Sequence, residues 1–450
     1  MTCMRFIFRR ISPFQIITCS FLFLILLGSL LLFLPAAGAG TQKCSYLDAV
    51  FTASSAACVT GLVVHNTSTF WSGFGKSVIL VLIQIGGLGV ITVVIAVSIF
   101  SGKRIGLRQR NLMQNAVNAP KLGGIIRFTR FLLFFTAVAE LTGAILLMPA
   151  FFRVYGFAVG LRKALFHSIS AFCNAGFDIL SDKTAFASLT AYRDNVLVNI
   201  VIMILIVAGG LGFLTWDELL QKEQFLKQSR ARKLSLQTRL VLLTSVILII
   251  LPALFFFFFE FTRGSVRERL FLSFFQSVTT RTAGFNTADL PSLREGSRLV
   301  MIVLMLTGGS PGSTAGGLKT TTLAIILIAS RRYLTRKKSY SVMGRSLSVQ
   351  TVLEAFTLLI LYLCLFLAGS LVISTIENLP ILDCMFECAS ALGTVGLTTG
   401  ITPSLGSVSK VILILFMYFG RVGGLTMAYA ALGGGTAEEG RLPEEKVMIG

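Results

Sequence analysis

Eight stretches of this chain are predominantly apolar and about as long as a membrane is thick. They are residues 14–34, 78–100, 125–148, 196–215, 240–259, the split pair 299–307 and 320–330, 352–373, and 411–432. A hydrocarbon core of roughly 30 Å needs about 20 such residues to cross it as a helix. The pattern therefore predicts an all-α polytopic membrane protein. Between successive pairs of spans lies a shorter segment that occurs four times: FTASSAACVTGL at 51–62, FHSISAFCNAGF at 166–177, FFQSVTTRTAGF at 274–285 and FECASALGTVGL at 386–397. In each copy a Phe (Phe51, Phe166, Phe274, Phe386) stands ten residues before a Gly (Gly61, Gly176, Gly284, Gly396). Three copies place Ser-Ala six and five residues before that Gly, and the third has Val278 and Thr279 instead. Internal repetition outranks other sequence signals.

Each repeat reads as a long span, a short outer helix, an irregular stretch ending at the Gly, and a second span. The first outer helix, about residues 47–57, reaches only ~16 Å at 1.5 Å per residue. It must enter the membrane and turn back, leaving non-helical backbone at depth, which is tolerated only inside protein or along a water-filled cavity. Four equivalent re-entrant segments predict one shared axis. The fold expected is four pseudo-fourfold membrane–pore-helix–membrane repeats, eight transmembrane spans around a central pore, with repeats at 1–105, 106–225, 226–345 and 346–450.

Helices that end at the axis direct their negative C-terminal dipoles at it. The backbone that follows can turn carbonyl oxygens inward: Cys58-Val59-Thr60-Gly61, Cys173-Asn174-Ala175-Gly176, Arg281-Thr282-Ala283-Gly284 and Gly393-Thr394-Val395-Gly396. Stacked carbonyls replace the hydration shell of a monovalent cation, as in potassium filters. Glycines that only let helices pack closely are the bland alternative, and four in register after a half-length helix speak against it.

The second spans carry another glycine signal: Gly86-Gly87-Leu88-Gly89, Gly209-Gly210-Leu211-Gly212 and Gly420-Arg421-Val422-Gly423-Gly424. Close packing of helices suffices to explain it in repeats one and two. Repeat three is different. Gly308-Gly309-Ser310-Pro311-Gly312-Ser313-Thr314-Ala315-Gly316-Gly317 cannot form a regular lipid-facing helix, so the span is expected to break there into an intramembrane gating loop over 307–318. Two cations sit at this depth, Lys319 and Arg421. Ionisable residues in spans are functional hypotheses by default, although Lys319 could also snorkel to the membrane surface.

Charge sets the orientation. Of 450 residues only 13% are charged, against about 25% in globular domains, yet the net charge is +20. Seven Lys or Arg and no acid fill 103–130, six bases fall in 222–239, six in 331–345, and Arg5, Arg9 and Arg10 open the chain. Basic loops confined to one side follow the positive-inside rule. They place both termini in the cytoplasm and make nucleic acid an unnecessary partner. The opening apolar run of 21 residues exceeds the 7–15 residues of a cleaved signal, so it reads as a retained first span.

Two histidines (His65, His167) and eight cysteines show no metal-ligand spacing. Cys384 and Cys388, four apart, read as small packing residues. Glu140 reads as a paired structural carboxylate. Arg281 reads as a brace behind the filter, and Asp48, Asp178 and Asp383 as weak attractors of cations at the outer mouth.

These residues resemble the Trk/Ktr/HKT superfamily of potassium transporters, and within it the Ktr-type membrane subunit (KtrB type). The resemblance is carried by Ser12-Pro13 with Leu34-Pro35, ACVTGL, QIGGLG, FHSISAF, NAGFD, TTRTAGFNT, GGSPGSTAGGLKTTT, GRVGGLT and the terminal PEEKVMIG, which together cover essentially the whole chain. It implies a multi-pass protein of the cell membrane that takes up K+, with Na+ as a stimulating or coupling ion left open and no cofactor bound by this chain. It implies a homodimer whose C-terminus contacts the other protomer. A cytoplasmic ring of Rossmann-like regulatory subunits, gating by ATP against ADP, is implied too. It also implies that the repeat-three loop and Arg421 form the gate. In such proteins Cys173 stands where many relatives have Asn, and Gly424 where many have Pro. Gly at all four filter positions fits the potassium-preferring subtype. The alternative is a sodium- or ammonium-conducting member. A membrane enzyme would need a nucleophile–base pair or paired carboxylates, which the chain does not offer. A scaffold would not need four glycines in register.

Overall fold

The computed structural model describes residues 12–40, 44–101, 106, 110, 112–114, 124–181, 185–226, 234–336 and 340–432. The Arg5/Arg9/Arg10 cluster, most of the basic loop residues and the terminal 443–450 segment lie outside these.

Each repeat opens on a long apolar helix: α1 Pro13–Phe33, α5 Ile125–Tyr155, α9 Leu236–Phe255 and α13 Val349–Glu377. Their starts are written in the sequence. Ser12 and Gln15 close a reciprocal capping box around Pro13, and Ser235 and Ser348 cap α9 and α13, each satisfying amides that the first turn leaves orphaned. Large apolar side chains such as Phe23 and Phe134 point outward, 67% and 72% exposed, as suits a lipid-facing surface.

The short helices follow at α2 Tyr46–Ala57, α6 Phe157–Phe172, α10 Val266–Thr279 and α14 Ile381–Gly393, with 12, 16, 14 and 13 residues. At 1.5 Å per residue none exceeds ~24 Å, short of a full crossing. The second helices are α3 Gly73–Leu88, α7 Val196–Gly210, α11 Glu295–Leu306 and α15 Ser407–Val422. Each packs against the short helix of the next repeat: α3 on α6, α7 on α10, α11 on α14, and α15 back on α2. The four units thus close into a ring.

The straight second spans read from residues 78–100, 196–215 and 411–432 need correction. Each breaks at a glycine with positive φ, Gly89 (+85°), Gly212 (+90°) and Gly423 (+94°). The continuing arms α4 Val90–Phe100, α8 Phe213–Leu226 and α16 Gly424–Leu432 leave at 91°, 94° and 96°. An L side chain resists that backbone conformation and Gly does not. In repeat three a loop separates α11 from α12 Thr320–Leu334.

The packing reading of the other glycines stands. A Cβ added at Gly86, Gly209 or Gly420 would collide with the carbonyls of Ala57, Phe172 and Leu392, at or next to the ends of the short helices. Gly86→Ala, Gly209→Ala and Gly420→Ala should each cost about 1–3 kcal/mol, as overpacking does. Gly296→Ala, with open space around it, should cost far less. Thermal unfolding of the purified protein in detergent measures the difference, and equal melting temperatures would contradict the close approach.

Candidate functional site: a ring of four glycine turns and the loop beneath it

The four repeated turns converge. A Cβ on Gly61 would strike the Ala175 carbonyl, on Gly176 that of Ala283, on Gly284 that of Val395, and on Gly396 that of Thr60. The order closes on itself, so each glycine backbone is wedged against the carbonyl preceding the next repeat's glycine. All four glycines have positive φ, at +96°, +67°, +80° and +92°. Two residues earlier, Val59, Asn174, Thr282 and Thr394 are also left-handed, with φ between 52° and 70°. Such backbone is uncommon for a non-glycine residue and an outlier for a β-branched one. Sequence reading did not anticipate it.

What holds the turns is a set of bonds from the end of each short helix. The amides of Thr60, Ala175 and Val395 donate to the carbonyls of Ser55, Ser170 and Ser390 (2.7–2.8 Å). In repeat three, Ala283 donates to the Thr279 carbonyl at 2.9 Å. Ser55 and Ser390 hydroxyls accept from the amides of Gly61 and Gly396, both at 3.0 Å. Ser170 and Thr279 hydroxyls donate instead to the carbonyls of Phe177 and Phe285. Thr279, one place along from the register of the other copies, therefore does the work of Ser170. The carbonyls of Thr60, Ala175, Ala283 and Val395 accept no hydrogen bond among the described residues. Four buried, unpaired oxygens in one place are costly unless something positive meets them.

Cys58, Cys173 and Gly393 sit at the helix ends beside these turns, all buried. Cys173 faces Gln84 and Glu140, with Sγ 3.7 and 3.8 Å from their oxygens, and Gln84 donates to Glu140 at 3.2 Å. Glu140 is thus paired, as read. The Asn174 amide, with its nitrogen toward the carbonyls of Ala171 and Ile206, reaches both at 3.1 and 3.2 Å. Arg281 turns away from the ring: its Nη2 donates to Ser245 Oγ of α9 at 3.1 Å.

Directly beneath lies the repeat-three loop. Thr307 and Leu318 form a parallel bridge, and the Gly308 amide donates to Leu318 at 2.7 Å while that of Thr320 donates to Gly309 at 3.1 Å. The amides of Ser310 and Thr314 donate to the carbonyls of Gly210 (3.0 Å) and Gly209 (3.2 Å). Phe213 donates to Gly312 (2.9 Å), and Gly317 donates to Gly420 (3.2 Å). Thr314 Oγ1 reaches the Phe172 carbonyl at the end of α6, 3.0 Å away. A Cβ on Gly316 would meet the Thr394 side chain, so the loop touches the turn of repeat four. Ser313 Oγ donates to Ser310 within the loop at 2.6 Å.

Arg421 ties these parts together. Its guanidinium donates to the carbonyls of Thr314 in the loop, and of Gly86 and Gly87 where α3 ends. Lys319 Nζ donates to Ala315 at 2.8 Å and Gly316 at 3.4 Å, folding the loop on itself. A cavity of about 640 Å³ opens below, walled in part by Pro311, Ser313, Ala315, Lys319 and Arg421.

The outer acids are a correction. Asp48 pairs with Lys410 (2.8 Å) and His65 (3.4 Å), and Asp383 with Arg298 (2.8 Å). Asp178 accepts from its own turn, from Leu180, Ser181 and the Ser181 hydroxyl. Asp48 and Asp383 spend their charge on holding repeats together and Asp178 on its own turn, which leaves little field for an approaching cation. Lys410 and Arg298 both lie on second helices and reach the next repeat's short helix, a partnership across the ring that linear sequence does not display.

A family model described as TrkH, cation transport protein, matches residues 7–432. The potassium/sodium uptake protein NtpJ of Enterococcus hirae is 38% identical over 98% of this chain and 98% of its own length. The Ktr system potassium uptake protein B of Bacillus subtilis is 38% identical over 94% of this chain and 93% of its own. The solved structure of the potassium transporter TrkH from Vibrio parahaemolyticus shares the fold with a TM-score of 0.70 at 19% identity, covering 93% of this chain and 84% of that one. Four glycine turns about one axis, a broken third repeat and these full-length likenesses lead to one assignment: this multi-pass membrane chain belongs to the TrkH family of cation transport proteins.

Proposed function

We infer that the chain is the ion-translocating membrane subunit of a potassium uptake system. The observation that carries this reading is the ring of Thr60, Ala175, Ala283 and Val395 carbonyls interleaved with the four glycines. A dehydrated K+ on the axis takes those oxygens in place of water, and the negative ends of α2, α6, α10 and α14 add to the attraction. Cys58, Cys173, Val59, Asn174, Arg281, Thr282, Gly393 and Thr394 complete the filter backbone. Ions enter from the outside and pass into the cavity below.

The loop over 307–318 is the gate, and Arg421 and Lys319 are its latches. With the loop docked beneath the turns, exit is closed. Opening withdraws it from the axis toward the 640 Å³ cavity. Arg421 holds the loop from outside through the Thr314 carbonyl while Lys319 fixes the loop's own fold, so release costs a charge-assisted bond.

Full-length likeness to a Ktr system protein supports control by a partner regulatory subunit. Binding of ATP or ADP by that subunit and assembly as a homodimer are carried over from the family resemblance, and cytoplasmic termini from the one-sided basic loops. Similarity to the potassium/sodium uptake protein of Enterococcus hirae favours Na+ as a second transported ion. Sodium as the main permeant ion is the alternative reading.

Complementation of a bacterium lacking its own potassium uptake tests the filter. The unaltered chain should restore growth at low K+, and Gly396→Ser, whose Cβ strains φ +92° and meets the Thr60 carbonyl, should not. Unaltered growth and unaltered preference for Rb+ over Na+ would count against the filter. For the gate, Arg421→Ala should raise resting Rb+ uptake by about tenfold, the effect of losing roughly one charged hydrogen bond's worth of closed-state stability. Resting uptake equal to the unaltered chain at the same membrane level would remove Arg421 from the latch.

A further inference from the structure

In every repeat one residue of the short helix stands nine places before the filter glycine: Thr52, His167, Phe275 and Glu387. Three places after the glycine stand Val64, Ile179, Thr287 and Thr399. In repeats two and four these positions are bonded to each other. His167 Nε2 accepts from the Ile179 amide at 3.3 Å, and Glu387 Oε1 accepts from the Thr399 amide at 3.1 Å. Both side chains are fully buried, at 0% exposure.

The supporting contacts differ but serve the same strand. Acceptance at Nε2 leaves the ring proton of His167 on Nδ1, which donates to the Lys163 carbonyl at 2.7 Å. Lys163 Nζ in turn donates to the Ile179 carbonyl at 2.6 Å, so Ile179 is held by both its amide and its oxygen. Glu387 takes the hydroxyls of Thr398 and Thr402 as well. Repeats one and three have no such bond: Phe275 has no acceptor, and Thr52 makes no bond to residue 64 among the described residues. Since the ring runs in the order 61, 176, 284, 396, the two clamped repeats face each other across the axis.

We propose that His167 and Glu387 are positioning residues of the filter, clamping the strands that leave it along one diagonal and so setting how far the Ala175 and Val395 carbonyls can yield. Neither touches an ion. The consequence is for selectivity. Where a carbonyl ring selects by the size of the site it offers, it discriminates by resisting closure on the smaller cation, and anchored strands on opposite sides resist it. The inference rests on the filter reading above.

The test is uptake of Rb+ against Na+ by the full chain in cells lacking other potassium uptake, at matched membrane levels. His167→Asn and Glu387→Asp keep a polar group but no longer reach the strand amide. His167→Gln and Glu387→Gln keep an oxygen at full reach. Each shortened variant should lower the Rb+ over Na+ ratio by about threefold to tenfold, the worth of one hydrogen bond, and each glutamine variant should stay close to the unaltered chain. Ratios unchanged in both shortened variants would overturn the proposal. So would absence of the shortened variants from the membrane, because that assigns the pair to folding. Gly396→Ser run alongside separates the two readings. If it also leaves the ratio unchanged the filter itself has failed, and if it alone shifts the ratio only the clamp has.

Discussion

Backbone-to-backbone contact between four repeats is the constraint on which the rest of the structure depends. Gly61, Gly176, Gly284 and Gly396 each lie against the carbonyl of the neighbouring repeat, and no side chain can be inserted there without pushing the turns apart. That contact leaves four carbonyl oxygens buried and without donors among the described residues. A globular protein would pair or hydrate them. Here the unpaired oxygens become an asset if a cation supplies the missing partner, and the surrounding helices are arranged to hold the oxygens in place until it does.

A second tier of glycines extends the same principle downward. Gly86, Gly209 and Gly420 let the second helices reach the ends of the short helices, and Gly89, Gly212 and Gly423 turn those second helices aside immediately below. The turned-aside helix ends expose carbonyls at the level of the repeat-three loop. Arg421 and the loop amides take up several of them, those of Gly86, Gly87, Gly209, Gly210 and Gly420. The four turns and the loop are therefore linked through shared helix-end backbone, with the Arg421 and Thr314 side chains bridging to it. A displacement of the loop frees the carbonyls of Gly209, Gly210 and Gly420, and Gly209 and Gly420 are themselves the glycines packed against the ends of the short helices. In the reading proposed here, that is how a single loop can be coupled to all four repeats.

Much of this was legible in the linear sequence, for identifiable reasons. The Phe-to-Gly spacing repeated because four equivalent turns need the same glycine, and repeat three lost its apolar character because its loop pairs with other loops and helix ends rather than with lipid. Arg421 stood out because a guanidinium within an apolar stretch has to find acceptors. The right-angle bends were not legible. The residues on both sides of Gly89 are equally apolar, and nothing local distinguishes a glycine that packs from one that turns. Left-handed Val59, Thr282 and Thr394 run against local preference, held by bonds from the end of each short helix to the turn that follows it. The pairings of Asp48 with Lys410 and Asp383 with Arg298 join residues 362 and 85 positions apart, beyond the reach of any local pattern. Glu387 lay inside the repeated segment, yet its neighbours in the other copies, Thr52 and Phe275, concealed that the position has a role in only two of the four.

The central claim is that these four backbone oxygens receive a bare alkali ion on a common axis. Anomalous diffraction from crystals of the full protein grown in Rb+ tests it most directly. The account predicts a rubidium peak on the axis, enclosed by the carbonyls of Thr60, Ala175, Ala283 and Val395. Rubidium found only at the outer carboxylates, or nowhere on that axis, would contradict it.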